Sequence, residues 1–166
     1  WETDPFGVYP ANMTALGGDG GNFESVAYDD RHGLVFFVTE DYETGALRRF
    51  TPDPDVVATG NTWDILTTEG TIEYLTMDWD MTFDWTSNLT IGREEAEAWF
   101  PNSEGIDVKD GILYFTSKIY KELIMLDLDQ KTWTWQSTVN GAFANEPDQV
   151  NRIIGDESGI LYFCED

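Results

Sequence analysis

The chain alternates between short apolar runs and polar turns, a pattern that predicts an all-β protein. Two runs, at 34–38 and 112–115, are apolar throughout, as expected of strands that are covered on both faces. The runs that flank them alternate apolar and polar residues, as in strands with one buried face. Short links such as Asp110-Gly111 separate the runs, and links of this kind predict β-hairpins.

One order of features repeats along the chain: an acid, a strand, a turn, an apolar strand and a further strand. It begins at Glu24, again at Glu104 and again at Asp148, and the spacing leaves room for a less similar unit between the first two. Units of about 40 to 45 residues with four strands are typical of β-propeller blades. We therefore predict one partial propeller domain over residues 1–166, part of a larger ring. A loop at 1–21 leads into blade-like units at 22–60, 61–100, 101–144 and, incomplete, 145–166.

The unit at 61–100 is predicted from weaker signals. Strands are expected near Trp63–Thr67 and Ile72–Met77, and a short helix at Arg93–Phe100, before a proline. Aromatic and apolar residues alternate with polar ones from 79 to 85, which predicts an amphipathic edge strand. These side chains serve either packing between strands, the commoner role of such alternation, or the stacking of carbohydrate rings.

Composition narrows the possible functions. The chain carries 9 basic and 32 acidic residues and a formal net charge of −23, so charge attraction to nucleic acid or to an anionic membrane is excluded. With 41% hydrophobic residues, the chain is too apolar for a disordered segment. No apolar run is long enough for a membrane-spanning helix, and the single cysteine excludes an internal disulfide framework.

Two sequons, at Asn12-Met13-Thr14 and Asn88-Leu89-Thr90, fit a secreted or lumenal protein. The chain begins at Trp1 without a basic and then apolar stretch, so we expect any targeting segment to have been removed or not included. A secreted, extracellular or organelle-lumenal location is the expectation.

The acids at the repeated position predict a metal site. Glu24, Glu104 and Asp148 each stand just before the first strand of a unit, and in a propeller such positions converge on the central channel. Carboxylates that lie close together repel unless they are protonated or bridged by a cation. Hard oxygen ligands favour calcium, with iron possible where the geometry suits it. The alternative is that these acids cap turns at the start of each unit.

A second set of acids stands at the ends of the second strands, as Glu40-Asp41 and Glu165-Asp166. Adjacent strand residues face opposite sides, so one acid of each pair can reach the site, and we predict Glu40 and Glu165. The unit at 101–144 has Ser117-Lys118 there instead. Lys118 therefore either replaces a ligand or binds a substrate phosphate.

The same residues resemble the PhoX-type alkaline phosphatases. The resemblance covers most of 20–50 and 100–166, and it is carried by Phe23-Glu24-x-Val26-Ala27-x-Asp29, Thr39-Glu40-Asp41, Leu47-x-Arg49-Phe50, Glu104-Gly105, Pro147-Asp148 and Cys164-Glu165-Asp166. Members of that family are secreted β-propellers that hold calcium and iron through carboxylates in a central channel and hydrolyse phosphate monoesters. The resemblance implies that fold, those metals and that activity. The chain departs from the family pattern at Ser25, where glycine is usual, and at Gln149, where asparagine is expected.

Two other functions share the architecture. One is a non-catalytic, calcium-bound propeller that acts as a scaffold or binding subunit for a protein partner. The other is a lactonase-like or strictosidine-synthase-like calcium propeller, which would favour Asn and Asp in the channel where this chain offers Glu. The single histidine, His32, stands in a turn and excludes a Ser-His-Asp triad. Cys164 is expected to be a small buried hydrophobe.

Overall fold

The protein is mostly β. A computed structural model describes residues 1–17, 20–68, 70–139, 146–152 and 157–165. These residues form three antiparallel sheets of five, four and two strands, and within each sheet every strand pairs with the next one along the chain. The prediction of an all-β chain with antiparallel hairpins is confirmed.

The elements follow one another in a simple order. The first sheet contains β1 (Phe23–Asp29), β2 (Val35–Glu40), β3 (Arg48–Pro52), β4 (Gly70–Met77) and β5 (Phe83–Thr86). The second contains β6 (Ser103–Lys109), β7 (Ile112–Ser117), β8 (Glu122–Asp127) and β9 (Thr132–Ser137), and the third β10 (Pro147–Asn151) and β11 (Tyr162–Glu165). The helices are α1 (Pro54–Ala58), α2 (Thr62–Ile65) and α3 (Leu89–Trp99), and a 3-10 turn covers Ala15–Gly17. Within the described ranges, none of the helices combines the length and the apolarity needed to cross a membrane.

The segment 61–100 differs most from its prediction. The strand expected at Trp63–Thr67 is wrong, because helix α2 occupies Thr62–Ile65. The side chain of Asn61 accepts a hydrogen bond from the backbone N–H of Trp63 at 3.2 Å and so caps the first helical turn. The strand expected at Ile72–Met77 is present as β4, but it pairs with β3. The first sheet therefore runs from the predicted unit at 22–60 into the one at 61–100.

The predicted helix is present and begins earlier than expected. α3 starts after Asn88, whose side chain accepts the backbone N–H of Thr90 at 3.0 Å and satisfies one of the unpaired donors of the first turn. The edge strand predicted from 79 to 85 is wrong over its first residues, and only β5, the outer strand of the first sheet, is present. A turn precedes β5, in which the N–H of Asp78 donates to the carbonyl of Thr82 at 2.9 Å. A bridge from Thr82 to Thr132 joins the first two sheets at this point.

The hydrophobic core lies between the first two sheets and α3. Apolar residues of both sheets, together with Ala96 and Phe100 from α3 and its end, form one buried cluster. Its members from the strands are Ala27, Phe37, Leu75, Met77, Phe83, Ile106, Val108, Leu113, Phe115, Ile124, Leu126 and Trp133, and Leu47 joins it from just before β3. Phe100 meets Phe115 edge to face, with ring centroids 5.5 Å apart. Burial of this apolar surface is what holds the two sheets together.

The first strands of the three sheets are neighbours in space, because β6 packs against both β1 and β10. The approach to β10 is very close at Gly105, where a Cβ atom would lie 2.2 Å from the backbone nitrogen of Val150. Because the neighbouring atoms belong to the backbone, rotation of a side chain cannot relieve this clash.

Gly105→Ala should therefore destabilise the protein by about 2 kcal/mol, because the added methyl group forces β6 and β10 apart. Urea denaturation measures the change. Ser25→Ala, at the equivalent position of β1, is the matched control and should be close to neutral. Equal stability of the two variants would contradict the close packing of β6 on β10.

Candidate metal centre

The three hairpins β1–β2, β6–β7 and β10–β11 share one irregularity. In each, the strand register shifts by one residue near the start of the first strand. The shifted stretch contains Glu24 in β1, Glu104 in β6 and Asp148 in β10. A β-bulge bends its strand and re-aims the side chains within it. The three acids that the repeat aligned in the sequence are therefore at structurally equivalent positions.

Two of these acids meet a third one. Glu24, Asp41 and Glu104 each offer a carboxylate oxygen, and these oxygens lie within 4.8 Å of one another. Glu24 is exposed, Asp41 is half-buried and Glu104 is buried. The first two belong to the β1–β2 hairpin and Glu104 belongs to the second sheet, so this acidic triad spans two sheets. Carboxylates so close together repel one another, and a shared proton or a cation between them relieves the repulsion.

Glu104 is the most constrained member of the acidic triad, since only 1% of the residue is exposed. The ammonium group of Lys118 lies 3.3 Å from its Oε1, yet this oxygen accepts no hydrogen bond from the described residues. Burial, and then the charge of Asp41, raise the pKa of Glu104 to about 7 against the opposing effect of Lys118. Without a bound metal ion, Glu104 is therefore partly protonated at neutral pH.

Asp41 is held in place by backbone and side-chain hydrogen bonds. Its N–H donates to the carbonyl of Asn22 at 2.8 Å, and the amide of Asn22 donates back to its carbonyl at 2.8 Å. The amide of Asn102, just before β6, donates to Asp41 Oδ1 at 2.7 Å. These bonds fix Asp41 both to its own sheet and to the second one.

The structure does not bring Glu40 into the acidic triad. Its buried side chain lies on Arg48 instead, with Oε2 3.5 Å from the guanidinium. Of the adjacent acids Glu40 and Asp41, Asp41 is thus the one that faces Glu24. The sequence held a signal for this arrangement, since Arg48 stands two residues before Phe50 and so shares the face of an apolar strand residue. An arginine buried on that face is stabilised by a carboxylate partner.

The acids of the third sheet form a separate group. Asp148 Oδ2 accepts a hydrogen bond from the thiol of Cys164 at 3.7 Å, and Oδ1 accepts one from Gln149 at 3.3 Å. Glu165 stands at the end of β11, opposite Pro147. Neither Asp148 nor Glu165 is part of the acidic triad found among the described residues. Asp166 lies outside the described residues.

Hydroxyl groups connect each hairpin to the acid of the next. Thr39 Oγ1, at the end of β2, donates to the backbone carbonyl of Glu104. Thr116, at the corresponding place in β7, donates to the backbone carbonyl of Asp148 at 2.7 Å. Both threonines are buried. The backbone of each acid is therefore positioned by the preceding hairpin.

The weaker candidates stay apart from the acidic triad. The side chain of His32 is 77% exposed and lies 3.6 Å from Asp129. Cys164 is exposed, so its interpretation as a buried hydrophobe is wrong. Trp79 is 86% exposed and packs on Trp99, whereas Phe83 belongs to the core. The aromatic residues between 79 and 85 therefore do not form one continuous exposed strip.

Comparison with known proteins gives no relative: no protein-family model matches the chain, and neither a curated protein nor a solved structure matches it. The acidic triad and its surroundings are therefore the basis for inferring a function.

Proposed function

We propose that the chain is part of a β-propeller that binds calcium between Glu24, Asp41 and Glu104 and hydrolyses phosphate monoesters there, as in the PhoX-type phosphatases that it resembles. One observation carries the proposal. The fully buried carboxylate of Glu104 has an oxygen without a hydrogen bond from the described residues, and it faces two further carboxylates. Lys118 supplies one positive charge, 3.3 Å from this oxygen, against the three carboxylates of the acidic triad. Their burial therefore stays costly without a further cation.

The arrangement of the sheets supports the propeller. Each sheet is built from consecutive antiparallel strands, and the first strands β1, β6 and β10 pack side by side. In a propeller, the innermost strands of successive blades are neighbours around the axis. The acids of the three bulges lie near the starts of these strands, as expected for groups that line a central channel.

The donor atoms of the acidic triad fit calcium. Calcium takes six to eight oxygen ligands at about 2.3–2.6 Å, so two oxygens on one ion lie at most about 5 Å apart. The carboxylate oxygens of the acidic triad lie within 4.8 Å of one another, which is inside that limit. Iron, which the resemblance implies as a second metal, would need ligands beyond these three acids and stays a prediction.

Lys118 gives the site a group for the substrate. A bound cation supplies charge neutralisation for a phosphoryl group and lowers the pKa of a water molecule. The ammonium of Lys118 is 3.3 Å from Glu104 Oε1, at the edge of the acidic triad. With Glu104 engaged by a bound cation, this ammonium would donate a hydrogen bond to a phosphoryl oxygen and so orient the ester for attack.

Hydrolysis of p-nitrophenyl phosphate by the calcium-loaded protein tests the proposal. Lys118→Met should lower kcat/KM by about 100-fold, as expected for the loss of a charge that stabilises the transition state, while calcium still binds. Lys121→Met removes a charge from the same β7–β8 turn and serves as the control. Equal rates in wild type and Lys118→Met, or hydrolysis that survives Glu104→Gln, would contradict a reaction at this site.

A non-catalytic, calcium-bound scaffold is the second candidate. The observation that favours it is that the acidic triad takes ligands from two sheets, so a cation there would fasten the sheets to each other. Calcium binding that stabilises the protein, with no hydrolysis of phosphate esters by wild type, would decide for the scaffold.

A further inference from the structure

Arg48 is a buried cation close to the acidic triad. It stands at the start of β3 and is 2% exposed. Burial of a guanidinium is costly unless carboxylates, other acceptors or aromatic faces replace the lost water. The groups that surround Arg48 are therefore held to it.

Two of these groups are Glu40 and Phe23. The guanidinium lies 3.5 Å from the carboxylate of Glu40 and stacks over the ring of Phe23, 4.5 Å from its centroid. Phe23 and Glu40 are cross-strand partners at the end of the β1–β2 hairpin. A single side chain thus contacts both members of the last residue pair of this hairpin.

The next residue after each partner is a member of the acidic triad. Glu24 follows Phe23 in the bulge, and Asp41 follows Glu40 at the end of β2. We propose that Arg48 is a positioning residue that sets the places of Glu24 and Asp41 by holding the residues before them. The inference rests on the proposed function in one respect, namely that these two acids bind a cation.

The chain supplies a matched control in the next residue. Arg49 lies over the ring of Trp85 at 4.7 Å and forms an ion pair with Glu73. It therefore has the same kinds of partner as Arg48, an aromatic ring and a carboxylate. Its partners belong to β4 and β5, and neither adjoins a member of the acidic triad in the sequence.

The test is a terbium titration of the purified protein, with calcium as competitor. Tb³⁺ takes oxygen ligands as Ca²⁺ does, and its luminescence lifetimes in H₂O and D₂O report the number of bound waters. Arg48→Met should weaken binding by about 10- to 100-fold, the usual effect of losing a group that orients a metal ligand, and should increase the number of waters. Arg48→Lys, which keeps the charge, should fall between. Arg49→Met should bind as wild type does.

A second variant covers the case in which Arg48→Met does not fold, since it leaves Glu40 buried without its ion-pair partner. Arg48→Met/Glu40→Gln removes both charges and should still show weakened binding. Wild-type affinity and hydration in this double variant would overturn the proposal and leave Arg48 a purely structural role.

Hydrogen exchange of the metal-free protein separates this proposal from the proposed function. Arg48→Met should speed amide exchange at residues 22–25 and 40–42, and Arg49→Met should not. If wild type binds no ion, the proposed function fails, and exchange alone decides on Arg48. Equal exchange at these residues in both variants would overturn the positioning role.

Discussion

In the absence of metal, raising the pH from about 5 to 8 should destabilise wild type relative to Glu104→Gln by up to about 3 kcal/mol. The pKa of Glu104 is raised from 4.5 to about 7 in the folded protein. Between these values the folded state binds a proton that the unfolded state has lost, so stability falls as the pH rises. The contribution of Glu104 is fully present below about pH 4.5 and is lost as the pH passes 7.

Urea denaturation of both proteins in a chelator, at a series of pH values, measures this difference. Subtracting the Glu104→Gln curve removes the contributions that the other acids make in common, including the general repulsion due to a net charge of −23. If the difference in the free energy of unfolding stays constant between pH 5 and 8, the folded protein does not raise the pKa of Glu104.

Calcium should reverse the destabilisation that the ionised Glu104 causes in metal-free wild type. At a concentration of 100 times Kd it should stabilise the folded protein by about 2.7 kcal/mol, because the ion binds the folded state and not the unfolded one. Glu104→Gln removes the charge of the buried ligand and should show no stabilisation at the same concentration. Differential scanning calorimetry with and without calcium measures both.

Glu73→Gln is the control for the calcium experiment, since Glu73 is an acid of the first sheet that pairs with Arg49 and not with the acidic triad. It should keep the full calcium response. If Glu73→Gln loses the stabilisation by calcium and Glu104→Gln keeps it, calcium binds elsewhere on the chain and not at the acidic triad.

The repeat in the sequence predicted the part of the site that depends on equivalent positions. Glu24, Glu104 and Asp148 were aligned by the spacing of the hairpins, and the structure gives them the same bulge. The alignment could not predict which of them meet, because that depends on how one sheet packs on another. Asp148 shares the position, yet among the described residues its carboxylate accepts hydrogen bonds from Gln149 and Cys164 of its own hairpin.

Whether Glu40 or Asp41 joins the acidic triad depends on a contact with a residue of the next strand, which the repeat does not show. Alternation limits each adjacent pair to one residue per face, but it does not say which face holds the site. The buried guanidinium of Arg48 takes Glu40, and this leaves Asp41 to the acidic triad. In the same way, the cap that Asn61 provides favours helix α2 over the strand expected at Trp63–Thr67, and the pattern could not show that β4 would pair with β3.

The hydrogen bonds from threonine hydroxyls to the following hairpin have a consequence for how repeats can be added to such a chain in evolution. Thr39 reaches the carbonyl of Glu104, and Thr116 reaches that of Asp148, so each of these hairpins carries a donor for the following one. A gene duplication that copies a hairpin also copies its donor, its bulge and its acid. The new acid then arrives already oriented by its neighbour. A row of carboxylates can thus be lengthened by whole repeats, without a separate set of mutations to place each one.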